Sequence, residues 1–172
     1  MSTIHLAKYE SPVGTLLLGS FADRLIMCDW CTGGRSEATL RKLSAYFSAT
    51  SVSYTTSENI VRATAELDEY FRGERKGFGV PLLFSGTTFR HQVMKQLQSI
   101  PYGETISYIE LARRVGRPRA VRATATAVAS NPLSIFLPCH RVVASNGALA
   151  GYAGGLEAKK KILQLEKALE VV

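Results

Sequence analysis

The chain has 172 residues, of which 46% are apolar and 20% are charged, a composition typical of a folded globular protein and not of a disordered one. Its net charge of +7 suits a polyanion such as nucleic acid as a partner, and a basic surface that serves solubility alone is the alternative. No apolar run approaches the roughly 20 residues of a membrane-spanning helix, and the first ten residues do not resemble a secretory signal, so we expect a cytoplasmic protein, or a nuclear one in a eukaryote, without membrane association.

The first 85 residues predict a small domain of strands and helices. Three β-rich runs are separated by turn signals and predict a three-stranded antiparallel sheet: His5–Glu10, Thr15–Gly19 and Leu25–Trp30. Apolar spacing then predicts two helices and a further strand, the first helix capped by Ser36, over residues 36–49, 58–72 and 78–84. A boundary is expected at residues 85–88, so that the second domain covers residues 86–172.

The second half of the chain is predicted to be helical and carries the whole charge excess. Residues 1–86 hold nine basic and nine acidic side chains, whereas residues 87–172 hold twelve basic and five acidic ones. No carboxylate occurs between Glu110 and Glu157, and such a single-sign stretch is typical of a surface that binds nucleic acid. Four helices are expected, over residues 88–99, 107–115, 119–129 and 156–169.

The two central helices have the outline of a helix-turn-helix. Gly116-Arg117-Pro118 joins them, and Arg119 and Arg122 lie near the start of the second helix, where such motifs contact DNA. After Arg122 that helix offers only small side chains and no Asn or Gln for reading base edges, which favours contacts to phosphates. An ordinary helical hairpin with a basic face is the alternative interpretation.

The cysteine pattern separates one candidate nucleophile from two structural residues. Cys28 and Cys31 have a spacing that can bind zinc, but they fall on a predicted strand without a second ligand pair, so we expect no metal site. Cys139 is followed by His140 and Arg141, and a neighbouring histidine or arginine can activate a thiol by taking its proton or stabilising the thiolate. An inert buried cysteine is the alternative for Cys139.

The residues around Cys139 carry a specific resemblance to a known family. The matching blocks occur in order between about residues 88 and 167: Ile100 to Thr105, Ser107-Tyr108, Leu111-Ala112, Gly116-Arg117-Pro118, Ala120 to Ala123, Asn131-Pro132, Pro138 to Val143, Gly151 to Leu156 and Leu163 to Glu166. This region resembles the O6-alkylguanine-DNA alkyltransferases, which repair DNA by direct reversal. The N-terminal half resembles the same family more loosely, through Ser11 to Gly14 and Leu67 to Phe71.

The resemblance implies a catalytic group centred on Cys139. Cys139 corresponds to the residue that accepts the alkyl group, and His140 to the base that draws its proton through a water. Glu166 corresponds to the carboxylate that orients His140, and Asn131 to a buried hinge between the second helix of the helix-turn-helix and the cysteine loop.

The resemblance also implies the residues that hold the DNA. Tyr108 corresponds to a contact to the flipped guanine, Tyr152 to a wall of its pocket, and Val142 and Ala153 to backbone contacts to the base. Arg122 corresponds to the residue that enters the duplex and fills the space left by the flipped base. Three further residues complete the expected DNA-binding set: Ser107, Arg119 and Arg141.

The expected function is single-turnover transfer of an alkyl group from O6 of guanine in duplex DNA to Cys139, and the resemblance allows O4 of thymine as a second substrate. It implies no cofactor, a monomer in solution that can cluster on DNA, and an α+β fold. In that fold an RNase H-like domain over residues 1–85 precedes a helical DNA-binding domain. The alternative is a DNA-binding damage sensor or regulator that uses the helix-turn-helix without transfer.

Overall fold

The computed structural model describes residues 2–169, which divide into two compact units, one ending at Gly86 and the other beginning at Thr87. The first unit combines a sheet with two helices, and the second is mainly helical, so the predicted α+β class is confirmed. Within residues 2–169, no helix is both long and apolar enough to cross a membrane.

The first unit is built on a four-stranded sheet. Its strands are β1 (Thr3–Ser11), β2 (Gly14–Phe21), β3 (Arg24–Trp30) and β4 (Ser51–Ser53). The first three form the predicted antiparallel meander, and β4 pairs in parallel with β1, which gives the order β3-β2-β1-β4. The fourth strand was not predicted, because its three residues contain one apolar side chain and show no alternation.

Two helices complete the first unit, α1 (Arg35–Tyr46) and α2 (Glu58–Phe71). Ser57 caps α2, since its hydroxyl accepts a hydrogen bond from a backbone N–H three residues later. The prediction that Ser36 caps α1 is wrong. The helix begins one residue earlier, at Arg35, and its N-cap is Gly34. The φ of Gly34 is +77°, in the left-handed region that glycine adopts without a steric penalty.

The predicted strand over residues 78–84 is also wrong, because this segment makes only one isolated bridge to β3, at Leu82. Around that bridge the Leu25 N–H donates to the Pro81 carbonyl and the Leu83 N–H to the Leu25 carbonyl, whereas a buried carboxylate binds two N–H groups at the start of the segment. Oε1 of Glu66, a residue of α2, accepts hydrogen bonds from the N–H groups of Gly79 (2.9 Å) and Val80 (3.1 Å). The two N–H groups held by Glu66 need no ladder partner, so pairing with β3 is confined to the single bridge.

Residues 87–169, the described part of the second unit, contain six regular elements and one short 3-10 turn. They are α3 (Thr88–Gln98), β5 (Ile106–Ser107), α4 (Tyr108–Arg114), α5 (Val121–Ala129), the 3-10 turn (Cys139–Arg141), β6 (Val142–Val143) and α6 (Leu156–Leu165). Helices α3, α4 and α5 pack against one another around buried side chains such as Leu97, Leu111 and Val128. All four helices predicted for this part of the chain are therefore present, although α6 ends at Leu165, before the predicted residue 169.

Helices α4 and α5 form the helix-turn-helix outline. Gly116, with a φ of +82°, ends α4 in the left-handed conformation that closes many helices. Helix α5 begins at Val121 and not at the predicted Arg119, which therefore lies in the turn. Arg119 and Arg122 thus sit on either side of the first residue of α5, where basic side chains are free to face a ligand.

Candidate active site

Cys139 opens the 3-10 turn that follows a tight turn of the chain at residues 134–137. The Cys139 N–H donates to the Leu137 carbonyl at 2.7 Å, and the residue is 6% exposed. Ile135 within this turn has a φ of +74°, which is unusual for a β-branched residue and costs about 1–3 kcal/mol. Packing therefore holds the segment before Cys139 in a strained conformation, with the cysteine almost entirely shielded from solvent.

Asn131 links the end of α5 to this same segment. It is 1% exposed, its Nδ2 donates to the Leu137 carbonyl at 3.0 Å, and its Oδ1 accepts from the Leu133 N–H at 2.9 Å. One amide side chain thus fixes both arms of the turn before Cys139. The family resemblance implies a hinge role for Asn131 between the second helix of the helix-turn-helix and the cysteine loop, and that role stays a prediction.

A two-stranded parallel sheet places Tyr108 near the cysteine. Strand β5 pairs with β6, Ile106 opposite Val142, and Ser107 then caps α4 by accepting from the Glu110 N–H at 3.0 Å. Tyr108 is the first residue of α4 and is partly buried. Burial raises its pKa, and the negative charge of the Cys139 thiolate raises it further, so Tyr108 keeps its hydroxyl proton and can donate it in a hydrogen bond.

His140 and Glu166 form a fully buried pair. Nε2 of His140 lies 2.8 Å from Oε2 of Glu166, and both side chains are 0% exposed. A carboxylate only accepts, so Nε2 carries the hydrogen and Nδ1 carries the lone pair. Nδ1 is buried and has no hydrogen-bonding partner among residues 2–169. The arrangement therefore presents a proton acceptor whose orientation is fixed from the opposite side of the ring.

The charge state of His140 suits that role. Burial lowers its pKa from the ordinary value of 6.5; the Glu166 carboxylate opposes this shift, and the positive charges of Arg141 and Lys159 add to it. The net lowering keeps the ring neutral at neutral pH, and a neutral imidazole is the form that can accept a proton.

The structure places Arg141 in the interior, which corrects its predicted place in the DNA-binding set. Its side chain is 8% exposed, and its Nε and Nη2 donate to the two carboxylate oxygens of Glu166, each at 2.9 Å. Nη1 donates to the Ile100 carbonyl at 2.6 Å, and the guanidinium lies over the Tyr102 ring, 5.6 Å from its centre. A buried carboxylate needs a compensating charge, and Arg141 supplies it to Glu166.

Lys159 is a buried charge that the sequence did not predict. It lies on α6 and is 0% exposed, and Nζ donates to the carbonyls of Val142 (2.7 Å), Ala150 (2.8 Å) and Gly151 (3.3 Å). It belongs to a run of three lysines, of which Lys160 and Lys161 are exposed. Such a run predicts a helix face in contact with solvent, which concealed the buried position of Lys159. The available signal was its spacing of three and four residues from the buried Ile162 and Leu163.

The remaining predicted contacts to the base lie directly after the cysteine turn and in the loop before α6. Val142 is fully buried in β6, and Tyr152 and Ala153 are partly buried in the loop that leads to α6. The carbonyl of Ala150, at the start of that loop, lies 3.5 Å from the hydroxyl of Tyr108. The structure thus brings Tyr108 and the loop together at the predicted site.

A concave basic face lies between the N-terminal end of α3 and the start of α5. It has a volume of about 530 Å³, and it is lined by three arginines, Arg90, Arg119 and Arg122, and by Phe89 of α3. None of the three forms an ion pair with a carboxylate in the part of the chain that the structure describes. Arg119 and Arg122 were predicted to act together on DNA, whereas Arg90 was missed because a single arginine on a predicted helix carries no positional signal.

Comparison with protein families gives two matches that together span most of the chain. Residues 4–84 match the ribonuclease-like domain of 6-O-methylguanine DNA methyltransferase, and residues 88–168 match the DNA-binding domain of 6-O-methylguanine DNA methyltransferase.

Similar proteins carry consistent names. A methylated-DNA–protein-cysteine methyltransferase of Mycobacterium leprae is 39% identical over 95% of this chain and 93% of its own length. The constitutive methylated-DNA–protein-cysteine methyltransferase of Bacillus subtilis is 38% identical over 92% of each chain. The O6-methylguanine methyltransferase of Mycobacterium tuberculosis superposes with a TM-score of 0.82 at 34% identity, covering 96% of this chain and 93% of that one. A structure of the M. tuberculosis protein in complex with DNA superposes with a TM-score of 0.80, with the same identity and coverage.

Proposed function

This chain belongs to the 6-O-methylguanine DNA methyltransferase family, and we propose that it performs direct-reversal DNA repair by moving an alkyl group from O6 of guanine to Sγ of Cys139. The observation that carries the choice of cysteine is the buried pair of His140 and Glu166 beside it. Of the three histidines in the sequence, only His140 adjoins a cysteine, so Cys28 and Cys31 lack this support.

The transfer begins with loss of the thiol proton, because the thiolate is the reactive form of cysteine. Nδ1 of His140 takes the proton through one bridging water, while Glu166 holds Nε2 and stabilises the charged ring. Sγ then attacks the alkyl carbon in line with the departing oxygen. The S–C bond forms as the C–O6 bond breaks, the electron pair moves to guanine, and guanine takes up one proton. The thiol becomes a thioether, and the alkylated base becomes guanine.

The walls of the pocket hold the base for this attack. Tyr108 keeps its proton and can donate to a ring nitrogen of guanine. Val142 and Ala153 present backbone groups to the base edge, and Tyr152 closes one side. Arg141 acts indirectly, since its bidentate contact fixes the carboxylate that orients His140.

A base in a duplex hides its O6 substituent, so the guanine must leave the stack at a cost of a few kcal/mol. We place Arg122 in the vacated space, where an inserted side chain offsets the lost stacking. Arg119 and Arg90 share the same basic face and contact phosphates. Affinity for undamaged DNA then comes from charge, and the selection of damage comes from the pocket.

The reaction needs no cofactor, because the alkyl group passes directly from the substrate to the protein. A thioether has no easy leaving group in water, so each molecule acts once. Duplex DNA carrying O6-alkylguanine is the proposed substrate, with O4-alkylthymine as a second one. The proposed acting species is a monomer, in the bacterial cytoplasm or a eukaryotic nucleus where its DNA substrate lies.

The test is the mass of the intact protein after it is mixed with DNA that contains O6-methylguanine. We expect a gain of one CH2 unit, about 14 Da, confined to the peptide that carries Cys139. Binding without a mass change would instead identify a damage sensor, and repeated release of product would identify a hydrolase.

A further inference from the structure

The turn that follows α3 lies against the buried arginine–glutamate pair of the site. It is a β-turn, closed where the Glu104 N–H donates to the Pro101 carbonyl at 3.1 Å. Ile100, just before the turn, is 1% exposed, and its N–H donates to the carbonyl of Leu97 in the last turn of α3. The packed core of the second unit therefore fixes the position of this turn.

Two groups of this segment contact the guanidinium of Arg141. Nη1 donates to the Ile100 carbonyl at 2.6 Å, and the guanidinium carbon lies over the Tyr102 ring, 5.6 Å from its centre. The other two nitrogens, Nε and Nη2, bind the carboxylate oxygens of Glu166. The guanidinium is thus held by a carboxylate, a carbonyl and a ring. An aromatic ring over a buried cation attracts it and keeps water from competing for its carboxylate partner.

The same turn also approaches the backbone that carries Glu166. Gly103 has a φ of +81°, and a Cβ added to it would lie 3.1 Å from the Glu166 carbonyl oxygen. The Tyr102 hydroxyl lies 3.5 Å from the carbonyl of Leu165, the last residue of α6. A glycine therefore lets the turn pack closely against the end of α6. The turn contacts both members of the ion pair, Arg141 through its side chain and Glu166 through its main chain.

Tyr102 adds no charge of its own to this arrangement. Burial raises the pKa of its hydroxyl, the negative charge of Glu166 raises it further, and the positive charge of Arg141 opposes the shift. The phenol therefore stays protonated over the pH range in which a thiol titrates. Tyr102 acts on the ion pair through the contact of its ring and not through proton transfer.

We propose that Tyr102 is a positioning residue for alkyl transfer, which acts through Arg141 on Glu166. The ring fixes the guanidinium, the guanidinium fixes the carboxylate, and the carboxylate fixes Nε2 of His140. The proposal rests on the proposed function, because the orientation of His140 affects the rate only if His140 takes the thiol proton. It extends the group that activates Cys139 to the turn after α3.

The first test compares the pH profiles of Tyr102→Leu and Tyr102→Phe. Leucine is apolar but has no aromatic face for the guanidinium, whereas phenylalanine keeps the ring and loses only the hydroxyl. For Tyr102→Leu we expect the reaction with free O6-benzylguanine to slow about tenfold near neutral pH. The loss should shrink as pH rises, because the thiolate then forms without a base. Tyr102→Phe should recover most of the wild-type rate.

Three results of this test would overturn the proposal. The first is a Tyr102→Leu protein that reacts at the wild-type rate. The second is a loss that stays constant with pH, because a general disturbance of the pocket would slow the reaction equally at every pH. The third is an equal loss in Tyr102→Phe, which would show that the aromatic ring is not the group that acts.

The second test observes the ring of His140 in protein that has not reacted. Proton NMR with isotopically labelled histidine detects a buried Nε2–H that is hydrogen-bonded to a carboxylate, and the loss of its signal in His140→Gln assigns it. We expect Tyr102→Leu to move this signal upfield or to speed its exchange with water, and Tyr102→Phe to keep it. A wild-type signal in Tyr102→Leu would refute the positioning role, even if that protein reacted slowly.

Gly103→Ala reaches the same ion pair from its main-chain side and replaces Tyr102→Leu if that protein does not fold. Gly73→Ala is its matched control, since Gly73 has a similar φ of +77° and no neighbouring atom among residues 2–169 within 4 Å of an added Cβ. Gly103→Ala should show the pH-dependent loss and the altered His140 signal, and Gly73→Ala should show neither. A folded Gly103→Ala protein with the rate and signal of wild type then overturns the proposal.

These tests remain separable from a failure of the proposed function. The His140 signal requires neither DNA nor transfer, so it reports on the ion pair alone. If the wild-type chain takes no methyl group from DNA, the proposed function fails even when the signal responds to Tyr102→Leu. If the wild-type chain repairs DNA but Tyr102→Leu keeps its rate, its pH profile and its signal, only the role of Tyr102 fails.

Discussion

Both units of this protein bury carboxylates, but they use them differently. In the first unit Glu66 accepts hydrogen bonds from two backbone N–H groups and from Nε of Arg62, so both of its carboxylate oxygens serve to hold the fold. In the second unit Glu166 is held equally well by Arg141, yet it also orients His140, whose Nδ1 has no hydrogen-bonding partner within residues 2–169. Burial of charge therefore does not distinguish a reactive site from a structural one. What distinguishes a reactive site is a buried acceptor without a hydrogen-bonding partner beside a nucleophile.

The largest expected effect separates the cysteines of the two units. Cys139→Ala should abolish transfer and retain DNA binding, because affinity comes from the basic face and not from the thiol. Cys31→Ala is the matched control and should transfer at the wild-type rate. The measurement is intact mass together with a DNA-binding titration. Any methyl group accepted by Cys28 or Cys31 in the Cys139→Ala protein would contradict the assignment.

The next effect compares the two buried glutamates directly. Glu166→Gln should slow transfer at least about 10²-fold near neutral pH, because the amide no longer stabilises a charged His140. The loss should shrink as pH rises, since the thiolate then forms without a base. Glu66→Gln should lower stability and leave the transfer rate of folded protein unchanged.

Rates of transfer measured from pH 6 to pH 9 for both glutamine variants decide the point. A loss in Glu166→Gln that stays constant with pH would mean that Glu166 positions groups and takes no part in moving the proton. A comparable loss in Glu66→Gln would remove the contrast between the two units.

A substitution of Arg122 separates the affinity for DNA from the extrusion of the damaged base. Arg122→Ala should lower transfer from duplex O6-methylguanine roughly tenfold to 150-fold, since filling the vacated stack is worth about 1–3 kcal/mol. Free O6-benzylguanine needs no extrusion and should react as before, and single-stranded DNA should fall between. Arg113→Ala, an exposed arginine paired with Glu110, serves as the control.

Second-order rate constants for the three substrates provide the measurement. Equal losses on all three would assign Arg122 to the fold or the pocket, and its role in the duplex would be abandoned.

The smallest expected effect concerns the first unit. Trp30, the only tryptophan in the sequence, is 1% exposed in β3. Its fluorescence should change little when DNA binds, because every proposed DNA contact lies in the second unit. A large quench on titration with duplex DNA would show that the first unit also contributes to binding.

Sequence reasoning located the site better than it described its charges. Cys139, His140 and Glu166 were predicted as a group, and the structure places the last two 2.8 Å apart, although their roles stay predictions. Arg141 was predicted to contact DNA, but its guanidinium donates hydrogen bonds to the buried carboxylate of Glu166, 25 residues later in the chain. Such long-range pairing leaves no local pattern in the chain.

Other misses follow from weak local signals. Lys159 was hidden in a run of lysines, although its helical spacing from Ile162 and Leu163 places it on the buried face. Strand β4 is too short to show alternation, and residues 78–84 are apolar enough for a strand but are bound by Glu66 instead. Helix α2, predicted over residues 58–72 from its apolar spacing, was found within one residue at each end.

The short side chains of α5 affect how quickly DNA can be searched. Beyond Arg122 this helix presents only alanine, threonine and valine, so it offers little that distinguishes one base pair from the next. A protein held mainly by phosphates meets nearly the same free energy at each step and can slide and hop along the duplex. Scanning is then fast and unselective. A damaged base is detected only if it leaves the stack while the protein is at that base pair. The ratio of these two times therefore sets the fraction of lesions that one passage along the duplex detects.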